Sequence, residues 1–123
     1  MPPQPLSAGE RERLAGHIAA ELRRAATRVA GLSRRFDDIV RSAATDAPDD
    51  EHDPEGATIA YERAQVGALL ARAERDVAQL RDARDRLRAG DDGACTRCGG
   101  AIGVDRLMAR PATRTCVTCA AAR

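Results

Sequence analysis

Apolar residues in the first third of the chain fall at Ile18, Leu22, Ala25, Val29, Leu32, Phe36, Ile39 and Ala43, in alternating steps of four and three. A helix turns once in about 3.6 residues, so these steps lay a single stripe along one face, the seam of a coiled coil. A second stripe with the same steps runs through Ile59, Arg63, Val66, Leu70, Ala73, Val77, Leu80, Arg84 and Leu87. Punctuation frames both helices. Ser7 and Glu10 form a capping box ahead of the first, Asp53-Pro54-Glu55 suits the start of the second, and Gly90 suits its end. Between the stripes, residues 49–56 contain nothing apolar to bury and form a solvated connection. The pattern predicts two long helices folded back on each other. One antiparallel register pairs Leu22 with Leu80, Ala25 with Val77, Val29 with Ala73, Leu32 with Leu70 and Phe36 with Val66. Each helix spans roughly 50 Å at 1.5 Å per residue, which predicts a rod with the acidic turn at one end.

Composition agrees with a helical rod rather than a globular core. The aromatic residues of the 123-residue chain are one Phe and one Tyr, and much of the apolar content is alanine. Proline-rich residues 1–6 are expected to be disordered, and Gly16 and Gly31 lie off the seam. The formal net charge is +1, but its distribution is uneven. Residues 45–57 hold six acids and no base, whereas 1–44 hold eight arginines against five acids, 58–90 seven against five, and 91–123 five against three. No apolar run approaches the roughly 18 residues of a membrane span, and the N-terminus lacks the basic start and apolar run of a signal peptide. A cytoplasmic protein is expected.

The four cysteines form two C-x-x-C pairs, Cys95-Thr-Arg-Cys98 and Cys116-Val-Thr-Cys119, separated by seventeen residues. Two such turns bring four thiolates onto one Zn²⁺ at about 2.3 Å and leave no open position for water or substrate. Such a site is structural. A disulfide needs an oxidising compartment, and a thioredoxin-type pair needs a strand–helix–strand context that the chain does not offer. Gly99 and Gly100 follow the first pair, where a tight knuckle turns N–H groups toward sulfur. Four thiolates on one divalent ion leave a net charge of about −2, so Arg97, Arg106 and Arg114 are expected charge partners. Ile102, Val104, Leu107 and Met108 are candidates for an apolar cluster beneath the module. The expected fold is therefore mainly α: a disordered segment at 1–6, a coiled-coil hairpin at 7–90 with an acidic tip at about 46–56, and a four-cysteine zinc finger at 91–123.

The run Cys95-x-x-Cys98-Gly99-x-x-Ile102-x-x-x-Arg106-Leu107-x-Ala109-x-Pro111, followed by Cys116-x-x-Cys119, closely resembles the zinc finger of the DksA/TraR family. The resemblance extends in architecture to an antiparallel coiled coil with an acidic tip. It implies a bacterial transcription regulator that binds RNA polymerase without sequence-specific DNA contact, inserting its hairpin through the secondary channel toward the active site. In that family the tip carries an acidic pair three residues apart and an alanine two further on. Here Asp50 and Asp53 supply such a pair but Glu55 follows it; with Ala57 as the alanine, Glu55 is the second acid and His52 stands in the first place. Asp50, Asp53, Glu55 and Ala57 are the tip residues the resemblance implies. The family's longer members bind the alarmone ppGpp through basic residues near a helix beyond the last cysteine. The chain ends at Arg123 without a lysine, so that ligand is not carried over.

Two other functions compete. A zinc ribbon binding nucleic acid would want a stronger basic excess and aromatics for stacking near the module. A coiled-coil adaptor with a structural zinc end would pair its seams with another chain. Enzymatic activity is not expected, because a closed four-cysteine site has no reactive position and the acids have no pocket. His17 and His52 are read as surface or packing residues, and the chain is expected to be a monomer.

Overall fold

The computed structural model describes residues 3–45 and 54–122. Its helices are α1 (Ala8–Thr45), α2 (Pro54–Arg88), α3 (Val104–Ala109) and α4 (Val117–Ala121). Among the described residues, the β pairing is an isolated antiparallel bridge between Ala94 and Ala101. The two long helices contain 38 and 35 residues, or about 57 and 52 Å at the helical rise. They pack as a hairpin, and the four-cysteine module follows them in sequence.

Local chemistry sets the ends of these helices. The Ser7 N–H donates to Glu10 Oε1 at 2.9 Å and the Glu10 N–H donates to Ser7 Oγ at 3.2 Å, which satisfies two donors that have no partner within α1. Pro54 opens α2, where its missing N–H costs no helical bond. At the other end Gly90 has φ 100°, a left-handed conformation that a side chain resists. That turn lets the Gly90 N–H reach the Leu87 carbonyl at 3.2 Å and the Asp91 N–H reach the Arg86 carbonyl at 3.0 Å, the paired bonds of a Schellman cap. The guanidinium of Arg11 on α1 completes this end by donating to the Leu87 carbonyl at 2.7 Å and to the Asp91 carbonyl. A cation on the last carbonyls also suits the negative end of the helix dipole.

The chain divides into two compact units, each using parts of both long helices. The first comprises Met1–Arg23 and Ala78–Arg123. Its core joins Leu14 and Ile18 of α1 and Ala83 of α2 to Cys95, Ile102 and Leu107, with Leu6, Leu22, Leu87 and Met108 packed against it. The metal-binding module therefore shares a core with the hairpin helices. Residues 3–6, expected to be disordered, lie on this unit. The Leu6 N–H donates to the Asp92 carbonyl at 3.1 Å, and the Leu6 side chain joins the core beside Leu107. A proline-rich composition describes the segment's own conformational tendencies; it does not reveal an apolar site elsewhere that receives its one leucine.

The second unit is Arg24–Val77. Ala25, Ile39, Val66 and Ala73 are buried there, while Val29, Leu32, Phe36, Leu70 and Val77 are half-buried. Gly67 makes room for an aromatic ring: a Cβ at that position would stand 3.3 Å from Phe36 Cε2. The contact sets Phe36 against Gly67, the residue after Val66, which the sequence register pairs with Phe36. Arg35 and Glu62 approach to 3.8 Å across the helices, an exposed pair worth little in water. Arg63 lies on the second seam by spacing but is exposed. A guanidinium keeps its hydration unless a partner replaces it, so the seam is interrupted there rather than filled.

Candidate metal centre

The segment after the α2 cap makes the first knuckle. The Cys95 N–H donates to the Gly100 carbonyl at 2.7 Å and the Gly99 N–H donates to the Cys95 carbonyl at 2.9 Å. Gly99 has φ 77°, as the tight turn demands. Within this turn the Arg97 N–H points at Cys95 Sγ and the Gly100 N–H at Cys98 Sγ, each at 3.4 Å. The second knuckle opens α4, where Cys116 is the N-cap and its sulfur accepts from the Cys119 N–H at 3.4 Å. The two turns are tied together where the Thr96 N–H and Oγ1 both donate to the Arg114 carbonyl, at 2.9 and 3.1 Å.

These turns bring Cys95, Cys98, Cys116 and Cys119 together, with all four sulfurs within 4.8 Å of one another. Cys98 Sγ and Cys116 Sγ are 3.9 Å apart. A tetrahedron with zinc–sulfur bonds of about 2.3 Å has edges of about 3.8 Å, so the sulfur set fits one Zn²⁺. The donor chemistry fits as well, because N–H groups aimed at sulfur stabilise thiolates. Backbone N–H groups of Cys116 and Cys98 lower the Cys95 thiol to about 6, against a burial effect in the other direction. The backbone of Cys119 likewise lowers Cys116. Cys119 is pushed up to about 12, first by its hydrogen bond with the Cys116 side chain and then by burial. Four crowded sulfurs cannot all carry charge without a cation among them, and a divalent ion replaces the retained proton.

Two of the three arginines expected near the thiolates, Arg97 and Arg106, also tie backbone segments together. Arg97 NH1 donates to the carbonyls of Cys119 and Ala122, at 3.3 and 2.9 Å, and so closes the C-terminal end of α4. Arg106 Nε donates to the Thr115 carbonyl at 2.9 Å, and its NH2 reaches Thr113 Oγ1 at 3.4 Å, which holds α3 against the loop before Cys116. Ile102 and Leu107 are buried as expected, with Val104 and Met108 half-buried. Leu14, four residues before the first seam position read from sequence, and Ala83 were not anticipated as part of this core. Leu14 continues the same stripe by one more step and was legible; Ala83 lies off the second seam and gave no sign.

Of the tip residues, Glu55 and Ala57 are exposed in the first turn of α2, while Asp50 and Asp53 lie outside the described residues. No described helix is long and apolar enough to cross a membrane.

Fold and site together define a helical-hairpin protein with a closed four-cysteine metal centre. Residues 88–123 match the prokaryotic DksA/TraR C4-type zinc finger. The whole fold is similar to that of the transcription factor DksA2 from Pseudomonas aeruginosa, with a TM-score of 0.77 over 93% of this chain and 82% of that one, at 24% sequence identity. No curated protein matches the chain.

Proposed function

We propose that the protein is a bacterial transcription regulator that binds RNA polymerase and works through the acidic segment between α1 and α2, inserted through the secondary channel toward the active site. The observation that carries this reading is the combination of a DksA/TraR-type finger with a two-helix fold whose connecting segment holds five acids in residues 46–53, followed by Glu55. Like charges at that density repel one another unless a cationic or metal-bearing partner receives them. A polymerase active site, which holds Mg²⁺, is such an environment.

In this account Cys95, Cys98, Cys116 and Cys119 hold one structural Zn²⁺. Asp50, Asp53 and Glu55 perturb how the polymerase holds its catalytic metal or mobile elements, with Ala57 as a close-packing position. The protein performs no chemistry itself, makes no sequence-specific DNA contact and acts as a cytoplasmic monomer. The nucleic-acid alternative is weakened at the finger by Arg97 and Arg106, which bind the protein's own carbonyls. The direct test is association of the zinc-loaded protein with purified core RNA polymerase by interferometry. Saturable one-to-one binding is expected, and absence of binding at micromolar concentration overturns the reading.

A further inference from the structure

Within the first unit, the N-terminal turns of α1 and the C-terminal turns of α2 border a groove of about 310 Å³. Its lining combines Ala15, Ala19 and Leu87 with Arg11, Arg84, Arg88 and Glu12. Ala15 and Ala19 are one helical turn apart and end at Cβ, so the space is left where longer side chains would have filled it. The lining brings three guanidiniums and the Glu12 carboxylate together, with Asp85 paired to Arg84 beside them. Arg11 is held by the carbonyls of Leu87 and Asp91, so its charge is positioned without a partner protein. Arg84 uses Nε on Asp85 at 3.2 Å, and the terminal nitrogens of its fork extend beyond that bond. Arg88 follows Arg84 by one turn, which sets their Cβ atoms about 6 Å apart on one side of the helix.

We propose that this groove is a docking site for an acidic peptide segment, with one apolar side chain over Ala15, Ala19 and Leu87 and carboxylates spaced by a helical turn on Arg84 and Arg88. Charge complementarity selects an anionic partner, and the apolar lining selects one that carries carbon side chains between its charges. A guanidinium fork matches a carboxylate in plane and accepts it through two parallel hydrogen bonds. Glu12 in the lining opposes a dianionic phosphate more than a singly charged carboxylate. Resting on the reading that the partner is RNA polymerase, the groove is an anchor on that enzyme separate from the acidic segment.

The test uses the zinc-loaded full chain and a synthetic helical peptide bearing glutamates at i and i+4 beside a leucine, with its glutamine counterpart as control. The acidic peptide should shift the amide resonances of Ala15, Ala19 and Leu87, and the control should not. The R84Q/R88Q double variant, with zinc content and far-UV dichroism unchanged, should weaken peptide binding at least tenfold and polymerase binding by a similar factor. Added salt should weaken both. Absence of shifts with the acidic peptide overturns the proposal. So does duplex DNA that moves the same amides at lower concentration than the peptide, or polymerase affinity that the double variant leaves unchanged. If the wild-type protein ignores polymerase yet takes the acidic peptide in the groove, the polymerase reading fails and the docking site stands.

Discussion

Small residues matter in this chain for what they leave open. Gly31 has nothing within 4 Å of where a Cβ would stand, so alanine there gains helix propensity without a clash. The Gly31→Ala variant is expected to be more stable by about 1 kcal/mol in urea denaturation. Gly67→Ala should gain less than that, because the Phe36 ring must give way. At Gly93 a Cβ would meet Leu107 Cδ1 at 3.1 Å and Leu6 Cγ at 3.3 Å, so Gly93→Ala crowds the Leu6 side chain and the finger core at once. It should lower the melting temperature and raise hydrogen exchange at Leu6 and Ile102. Among the titratable groups, Cys95 is lowered to about 6 and retains its thiolate well below the usual thiol range. A group with a depressed folded value contributes stability that is lost as pH falls through that value. Metal binding shifts the competition further toward thiolate, so zinc is expected to stay bound at neutral pH and to be released only on acidification, as protons displace it from the thiolates. Release followed with a chromogenic chelator across pH 4 to 8 checks the direction; zinc that leaves on raising pH would contradict it.

At the scale of elements, the sequence foretold most of what forms. The alternating steps of four and three identified both long helices, the Ser7–Glu10 box marked the start of α1, and Gly90 marked the end of α2. Those signals are local or periodic, so a single strand of text contains them. What it could not show were contacts made by residues with no periodic role. Leu6 reaches the finger core from a proline-rich segment, and Arg11 crosses to the end of α2; both depend on where distant backbone comes to lie. The cysteine spacing announced the metal centre because C-x-x-C is itself a local geometry. Charge counting placed arginines around it but could not show that Arg97 and Arg106 also reach backbone carbonyls there. Replacing Leu32 or Leu70 by aspartate puts a carboxylate against the seam, and either change should unfold the hairpin, seen as loss of far-UV helical signal. Arg11→Met retains the aliphatic stem but removes the cap, and a loss of about 1 to 3 kcal/mol is expected from hydrogen bonds to a charged group.

For the whole molecule, metal and hairpin are coupled through the first unit and not through the second. Cys95 shares a core with Leu14, Ile18 and Ala83, so removing zinc should raise hydrogen exchange at those residues first and at Ala25, Ile39, Val66 and Ala73 later. Simultaneous loss of protection in both units on chelation would contradict that division. The sequence of the acidic segment carries the functional claim. Charge there is separable from stability, because residues 49–56 contain no apolar residue for a core to lose. The most direct measurement neutralises Asp50 and Asp53 to asparagine and Glu55 to glutamine in one zinc-loaded protein, then compares its polymerase affinity with its effect on promoter-complex lifetime in vitro. The account predicts that affinity is retained within a few-fold while the effect on lifetime disappears; an undiminished effect in the neutralised protein would contradict it.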